Sequence, residues 1–300
     1  MFTNAAAQSA LSALTSITDQ IARTTEVVST GRKINSAQDS TAYWSIAARM
    51  ESDVSTFSTI VDGLNNAKSR FTVTDAALGT VYNSLTEIQT VLVAAQAPGA
   101  DRAVLQNQIT GYITDINSAI ASASVDGNNF LAVDSGAATY NANASYVSNV
   151  SSAGAISTMN IGVANYALTD ADAGTDGILE ADITVDAATQ TILTIDISGL
   201  DDSATDLAFI TNITSAVSTA MDSVLTAQSN IGVALNRFDS GISFVEALSS
   251  AKENAVATLV NADLEEEAAN LSALQSQQQL AIQALAIANS QYSNVLRLFA

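Results

Sequence analysis

Residues 270–300 read NLSALQSQQQLAIQALAIANSQYSNVLRLFA, and the spacing within that stretch decides the fold. No charged side chain stands between Glu267 and Arg297, yet Leu271, Leu274, Ala281, Leu285, Ala288, Tyr292, Val295 and Phe299 recur at alternating steps of three and four, interrupted only by Gln278. That rhythm predicts a helix with a coiled-coil seam. A membrane span needs about 20 mainly apolar residues in a row, and here Ser, Gln and Asn break the run every few positions. The helix is therefore expected to pack against protein, with no membrane insertion.

The opposite end of the chain matches it in kind. From Asn4 to Val28 the same steps return in Ala7, Leu11, Leu14, Ile21 and Val28, filled in by Thr18 and Thr25, and no charged side chain comes before Asp19. Core helices of a monomer keep a charged outer face, and these two have none. The seams are expected to meet each other and further copies of the chain.

Composition narrows the chemistry. Ten basic against thirty acidic residues, a net charge of -20, leave no basic footprint for phosphates, so nucleic acid is excluded as a partner. The chain has no cysteine and no histidine, which removes disulfides, thiolate chemistry, the commonest transition-metal ligands and the usual Ser-His and Cys-His pairs. No cofactor and no enzymatic activity are expected. Every Lys and Arg lies before Ala103 or from Arg237 onward, while residues 103–236 hold fourteen acids and no base, so the middle reads as a water-facing region. Met1 to Ala7 lacks the basic and apolar segments of a secretory signal, so an exported chain of this kind is expected to use another route.

Along the chain, a helix from about Asn4 is predicted to end near Gly31, where a left-handed residue can close it. Residues 34–40 form an irregular link, with Ser36, Asp39 or Ser40 available to cap a second helix. That helix runs through Ile46, Met50, Val54, Phe57, Ile60, Leu64, Ala67, Val73, Leu78, Val81, Leu85, Ile88 and Leu92, with Trp44 beside Tyr43 as a packing anchor near its start. Pro98-Gly99 ends it, and Asp101 caps a third helix carrying Val104, Ile109, Ile113, Ile116 and Ile120. Asp126-Gly-Asn-Asn129 is a turn. Residues 131–205 change texture and predict a small β-containing insert, with strict alternation in Ile183–Val185 and Leu193–Ile197. Helical spacing resumes from about Asp206 through Ile213, Val217, Met221, Leu225, Ile231 and Leu235, with a break near Asn261 to Asp263.

Two further patterns favour plain structural roles. Asp170 to Gly177 only faintly suggests a calcium loop, because the twelfth position is Ala181 where a bidentate acid belongs. Glu265-Glu266-Glu267 suits the positive end of the last helix better than acid-base chemistry.

Val28-Ser-Thr-Gly31-Arg32-Lys-Ile34-Asn35-Ser36-Ala-Gln-Asp39, followed by Ile46 and Met50, resembles the N-terminal signature of bacterial flagellin. Asp126 to Leu131, Asn236-Arg237-Phe238, Asn261-Ala-Asp263 with Glu267, and Ala288-Asn289 onward to Phe299 resemble further landmarks of that family in order and spacing. The likeness covers about residues 1–131 and 206–300. Ser40, Tyr43 and Tyr292 stand where the family usually has Asp, Gly and Pro.

The resemblance implies a mainly α subunit, with long helices from both termini forming an inner and an outer helical core around which a filament is built. Residues 1–45 with 256–300 would form the terminal coiled coil, 46–130 with 206–255 a helical shell, and 131–205 a variable outer domain. Leu11, Leu14, Ile21, Val28, Leu271, Leu274, Leu285, Tyr292, Val295 and Phe299 would then line the self-assembly seam. The implied partners are copies of itself, mixed with similar flagellins or not, together with the flagellar export apparatus, a chaperone, and cap and hook-associated proteins. The implied location is the extracellular flagellar filament, and the implied role is swimming motility. The alternatives are a hook-filament junction protein and a secreted Ser/Thr-rich adhesin. In flagellins that the animal innate immune receptor detects, the stretch before Pro98 resembles Gln-Arg-Val-Arg-Glu-Leu-Ala-Val. Here Ile88, Thr90 and Val91 replace its three charged residues, so activation is expected to be weak, with partial recovery on restoring the charges.

Overall fold

The computed structural model describes residues 5–151, 155–172, 177–185 and 188–298 of the chain, without side-chain detail at 185, 188, 189 and 291–298. The architecture is mainly α, with long helices from both ends and a small strand-bearing middle. Among the described residues there are five α-helices: α1 (Ala5–Thr30), α2 (Thr41–Ala95), α3 (Arg102–Ser122), α4 (Ala204–Val260) and α5 (Leu264–Leu298). By contact the chain divides into one unit of residues 1–55 with 248–300 and another of 56–247, so α2 and α4 each run through both.

In the first unit α1 packs against α5. Gly31 closes α1 with a φ of +70°, the left-handed conformation that glycine adopts without penalty. Beyond it Ile34 is buried with Ala47, Val256 and Val260, and Met50 and Leu259 pack on that cluster. The Nζ of Lys252 on α4 bonds the Asp53 carboxylate on α2.

The second unit is built on an unbroken heptad stripe. On α2 the residues Phe57, Ile60, Leu64, Ala67, Phe71, Thr74, Leu78, Val81, Leu85, Ile88, Leu92 and Ala95 are all buried, and on α4 Ile210, Ile213, Val217, Ala220, Val224, Ala227, Ile231, Ala234 and Phe238 are. The helices run antiparallel: Lys68 meets Asp239, Phe71 lies 5.4 Å from Phe238, and Gln96 Nε2 donates to Thr214 Oγ1 at 3.3 Å. Phe71 also lies 5.1 Å from Phe130 and about a ring's width from Tyr146 and Tyr166, so one aromatic cluster joins helix, turn and insert.

Four expected core positions, Val73, Val104, Leu225 and Ile46, instead face water; on α2 and α4 the adjacent Thr74, Val224 and Ala47 are buried in place of Val73, Leu225 and Ile46. Trp44 and Tyr43 do not anchor α2 either: they are 42% and 52% exposed. Ile88 and Val91 are core residues at 0% and 6% exposure, so Ile88→Arg would bury a charge. The expected recovery of receptor signal by restored charges is corrected on that ground. Of the three positions only Thr90 lies on the surface.

Pro98 and Gly99 do end α2, and Asp101 caps α3 by accepting from the Val104 N–H at 3.1 Å. Arg102, 5% exposed, donates to Ala95 O and to Asp202 Oδ1, while the Gly99 N–H donates to Asp202 Oδ2, so one carboxylate closes the α2–α3 corner. Asp126 and Gly127 both take positive φ, and Val125 and Asn128 exchange backbone bonds across them. That is the geometry of a type I′ turn.

Among the described residues the insert holds three strand pairs. β1 (Ala132–Val133) runs parallel to β4 (Thr169–Asp170), β2 (Asn143–Val150) antiparallel to β3 (Ile156–Gly162) with a bulge between Val147 and Asn149, and β5 (Ile183–Val185) antiparallel to β6 (Ala188–Gln190). The alternating stretch Leu193–Ile197 is not a strand. Residues 192–194 form a 3₁₀ turn under a Thr191–Thr194 capping box. Gln106 of α3 then takes the place of a neighbouring strand: its Nε2 donates to Ile195 O at 2.8 Å and its Oε1 accepts from the Ile197 N–H at 2.9 Å. Alternation buries Ile195 and Ile197, and a side-chain amide satisfies the backbone that a ladder would have used. The Asp170–Gly177 stretch lies partly outside the described residues. Its Asp170 accepts from the Ser135 and Asp172 N–H groups, and no metal-competent cluster of acids occurs among the described residues.

Candidate self-assembly surface

The α5 seam stands where its spacing placed it. Leu271, Leu274, Gln278, Ala281, Leu285 and Ala288 are the residues of that helix turned inward, Leu274 to 5% exposure. Side chains of Tyr292 and Val295 are not described, and Phe299 lies outside the described residues.

The α1 register differs. Its inward residues are Ala7, Ala10, Leu14, Ile17, Ile21, Thr24, Val27 and Val28, so Leu14, Ile21 and Val28 join the pair. Leu11 is 54% exposed, and Thr18 and Thr25 face water beside it. Gln278 Nε2 reaches Thr18 Oγ1 at 3.5 Å, at the edge of hydrogen-bond range.

Both helices therefore leave apolar side chains uncovered: Leu11 on α1, and on α5 Leu280 with Ile287 on one side and Ile282 on another. Leu280, Ile282 and Ile287 on α5 are 63%, 52% and 59% exposed. No charge lies on α5 between Glu267 and Arg297, whereas α1 exposes Asp19, Arg23 and Glu26. Among the described residues, no helix is apolar enough to cross a membrane. Large exposed apolar surface of this kind marks a protein interface.

The signature residues build the joint at the base of the pair. Asp39 does not cap α2. Its Oδ2 accepts from the N–H groups of Ser36 and Asn35 and from the Ser36 hydroxyl, which leaves Ser40 at the capping position. Those bonds, the Ser36 N–H first, hold the Asp39 carboxyl below its ordinary pKa. Asn35 Nδ2 donates to Thr30 Oγ1, and Arg32 pairs with Glu51.

Across from this link, the α4–α5 break lies alongside. The Lys33 N–H donates to Val260 O at 2.7 Å and the Ala262 N–H to Gly31 O at 3.0 Å, an antiparallel bridge between Arg32 and Asn261. Lys33 Nζ adds a bond to Thr258 O. Asp263 caps α5 by accepting from the Glu265 and Glu266 N–H groups, and Glu265, Glu266 and Glu267 occupy the first turn, where the helix dipole favours them.

The remaining signature residues lie elsewhere. Arg237 donates to Asn160 O of β3 at 3.2 Å, Asn236 is exposed with its carbonyl accepting from Ser240, and Asn289 is exposed on α5. Spacing could not reveal the bridge, because it is made by backbone atoms.

A subunit whose terminal helices pair with each other and still show uncovered apolar faces belongs to the class of self-assembling structural proteins. Residues 1–135 match the bacterial flagellin N-terminal helical region and residues 214–299 the bacterial flagellin C-terminal helical region. Among relatives, flagellin C of Rhizobium meliloti strain 1021 is 33% identical over all of this chain and 98% of its own length. The flagellin of Brucella melitensis biotype 1 is 35% identical over the same shares, and that of Bartonella bacilliformis 29% identical over 94% of this chain and 95% of its own. The chain belongs to the bacterial flagellin family and is a structural subunit of the flagellar filament.

Proposed function

We propose that the filament is built by this chain in three layers: residues 1–45 with 256–300 as the inner coiled coil, 46–130 with 206–255 as the surrounding shell, and 131–205 outermost. The observation that carries it is the pair of terminal helices, free of charge before Asp19 on α1 and between Glu267 and Arg297 on α5, that leave Leu11, Leu280, Ile282 and Ile287 uncovered. Burying such faces between copies removes apolar area from water at about 25 cal/mol per Å². Repetition of one non-closing contact then extends a helical polymer.

The self-assembly seam comprises Leu14, Ile21, Val28, Leu271, Leu274 and Leu285, with Leu11 meeting other copies, and the spacing of the sequence continues it to Tyr292, Val295 and Phe299. The chain leaves the cell through the flagellar export apparatus with a chaperone, joins hook-associated and cap proteins, and works outside the cell without catalysing any reaction. A sequence free of histidine and cysteine supports a purely mechanical role.

The test is elongation by the purified chain. Added to short filament seeds, it should extend them along their whole length, as seen by electron microscopy. Incorporation limited to a few copies at one end would instead make it a junction protein.

A further inference from the structure

Arg70 on α2 is the one place among the described residues where a guanidinium nitrogen, its Nε, is buried without a hydrogen-bond partner. The side chain is 22% exposed, and of its five N–H donors only one on Nη2 is engaged, with Asp126 Oδ2 at 3.3 Å. That bond is long, the Asp126 carboxylate is 62% exposed, and the same oxygen also accepts from Asn66 Nδ2 at 3.4 Å, so water screens the pair. A mostly buried cation with its donors unspent calls for a further acceptor.

The cation lines a cleft of about 560 Å³ between α2, the turn at Asp126 and β2, all within the unit of residues 56–247. Small-molecule sites measure about 300–1,000 Å³. Tyr146 of β2 lines the same cleft, within electrostatic reach of Arg70. Its ring packs on Phe71 and Phe238 at 6.2 and 5.3 Å, which fixes it, while its hydroxyl has no partner among the described residues. Burial raises the pKa of that hydroxyl and the Arg70 charge opposes the rise, so it stays a donor at neutral pH. Asn141 and Asn143 bring amides, Tyr140 brings a second ring, and Asp134 is the single carboxylate of the lining.

We propose that this cleft binds a uronic acid, a sugar with one carboxylate, which sets that carboxylate against Arg70 and the Tyr146 hydroxyl and its ring hydroxyls against Asn141, Asn143 and Asp134. A guanidinium beside a phenol matches one carboxylate, because charge-assisted bonds from a planar fork suit its two oxygens. Amides and a carboxylate match hydroxyl groups, which both donate and accept. The single charge follows from the lining: Arg70 is its one cation, and the adjoining residues 103–236 hold fourteen acids and no base, so a phosphate or a second acid group would stand unbalanced. The inference stands apart from the filament reading and is untouched by its failure.

Calorimetric titration of the full chain with D-glucuronate, at about 0.15 M salt to screen the net charge, should give saturable binding of one molecule per chain. Glucose, acetate and inorganic phosphate should each bind at least about tenfold more weakly, a difference of about 1.4 kcal/mol. Arg70→Gln should weaken glucuronate binding at least about tenfold and Tyr146→Phe about threefold, with circular dichroism and melting temperature unchanged. Tyr146→Phe keeps the ring against Phe71 and Phe238, so it decides the matter if Arg70→Gln does not fold. Absence of saturation in the millimolar range overturns the proposal, as does undiminished binding by the folded variants. Acetate or phosphate binding as tightly as glucuronate overturns the assignment to a uronic acid.

Discussion

Phe71 shows how much one position can hold. It is fully buried and touches the aromatic rings of Phe130, Tyr146, Tyr166 and Phe238, which come from a turn, a strand, a 3₁₀ turn and α4. Phe71→Ala should destabilise residues 56–247 by about 3–5 kcal/mol, measured by urea unfolding, since a cavity at that junction cannot collapse from any single side. A loss below about 1 kcal/mol would mean the rings repack. Four aspartates set the acid limit. Asp39, Asp196, Asp201 and Asp202 all have lowered pKa values, through N–H and hydroxyl donors and, for Asp202, first through Arg102. A depressed folded-state pKa contributes stability above the unfolded value of about 3.9, and that contribution is lost as pH falls through the folded value. The melting temperature should therefore stay level down to about pH 4 and decline below it. Asp202→Asn should lower the neutral-pH melting temperature and flatten the acid decline, because Arg102 stays buried without its carboxylate.

At the level of elements, the two terminal helices separate pairing from assembly. Leu274 is buried in the α1–α5 seam and Leu280 stands on the outer face. Leu274→Asp should cost helicity in the monomer and abolish assembly, whereas Leu280→Asp should abolish assembly and leave the monomer's helicity intact, as read by circular dichroism and sedimentation. Normal filaments from Leu280→Asp would remove the outer face from the assembly surface. This contrast also marks what spacing could and could not reveal. The α5 register was legible because steps of three and four run without a break from Leu271 to Ala288, although Leu280, Ile282 and Ile287 lie off that stripe. In α1, apolar residues lie on more than one side, so Leu11 competes with Ala10 for the same turn, and only the partner helix decides for the smaller side chain. The insert was legible as a texture, not as strands: Leu193–Ile197 has the right alternation and lacks a partner strand because Gln106 occupies its edge. Trp44 misled because an aromatic residue at the head of a helix looks the same in sequence whether or not the fold buries it.

For the whole molecule, charge opposes association. Subunits of net charge -20 repel one another, and the Debye length falls from about 30 Å at 0.01 M salt to about 10 Å at 0.1 M. Polymerisation followed by light scattering should accelerate with added salt over that range; a steady fall would show that the contacts between copies are mainly ionic. Assembly also requires every subunit to present the same surface, and here the seams leave an ambiguity. Apolar positions that repeat every seven residues fit nearly as well after a slip of one heptad, about 10 Å along the axis. Among the described seam positions of α5, Gln278 is the polar one that breaks that degeneracy from within. The two backbone bonds joining Gly31 and Lys33 to Ala262 and Val260 resolve it from outside, because any slip must break both. They act as the zero mark on a sliding scale: each copy carries α1 and α5 in one fixed alignment and offers that same alignment to the next.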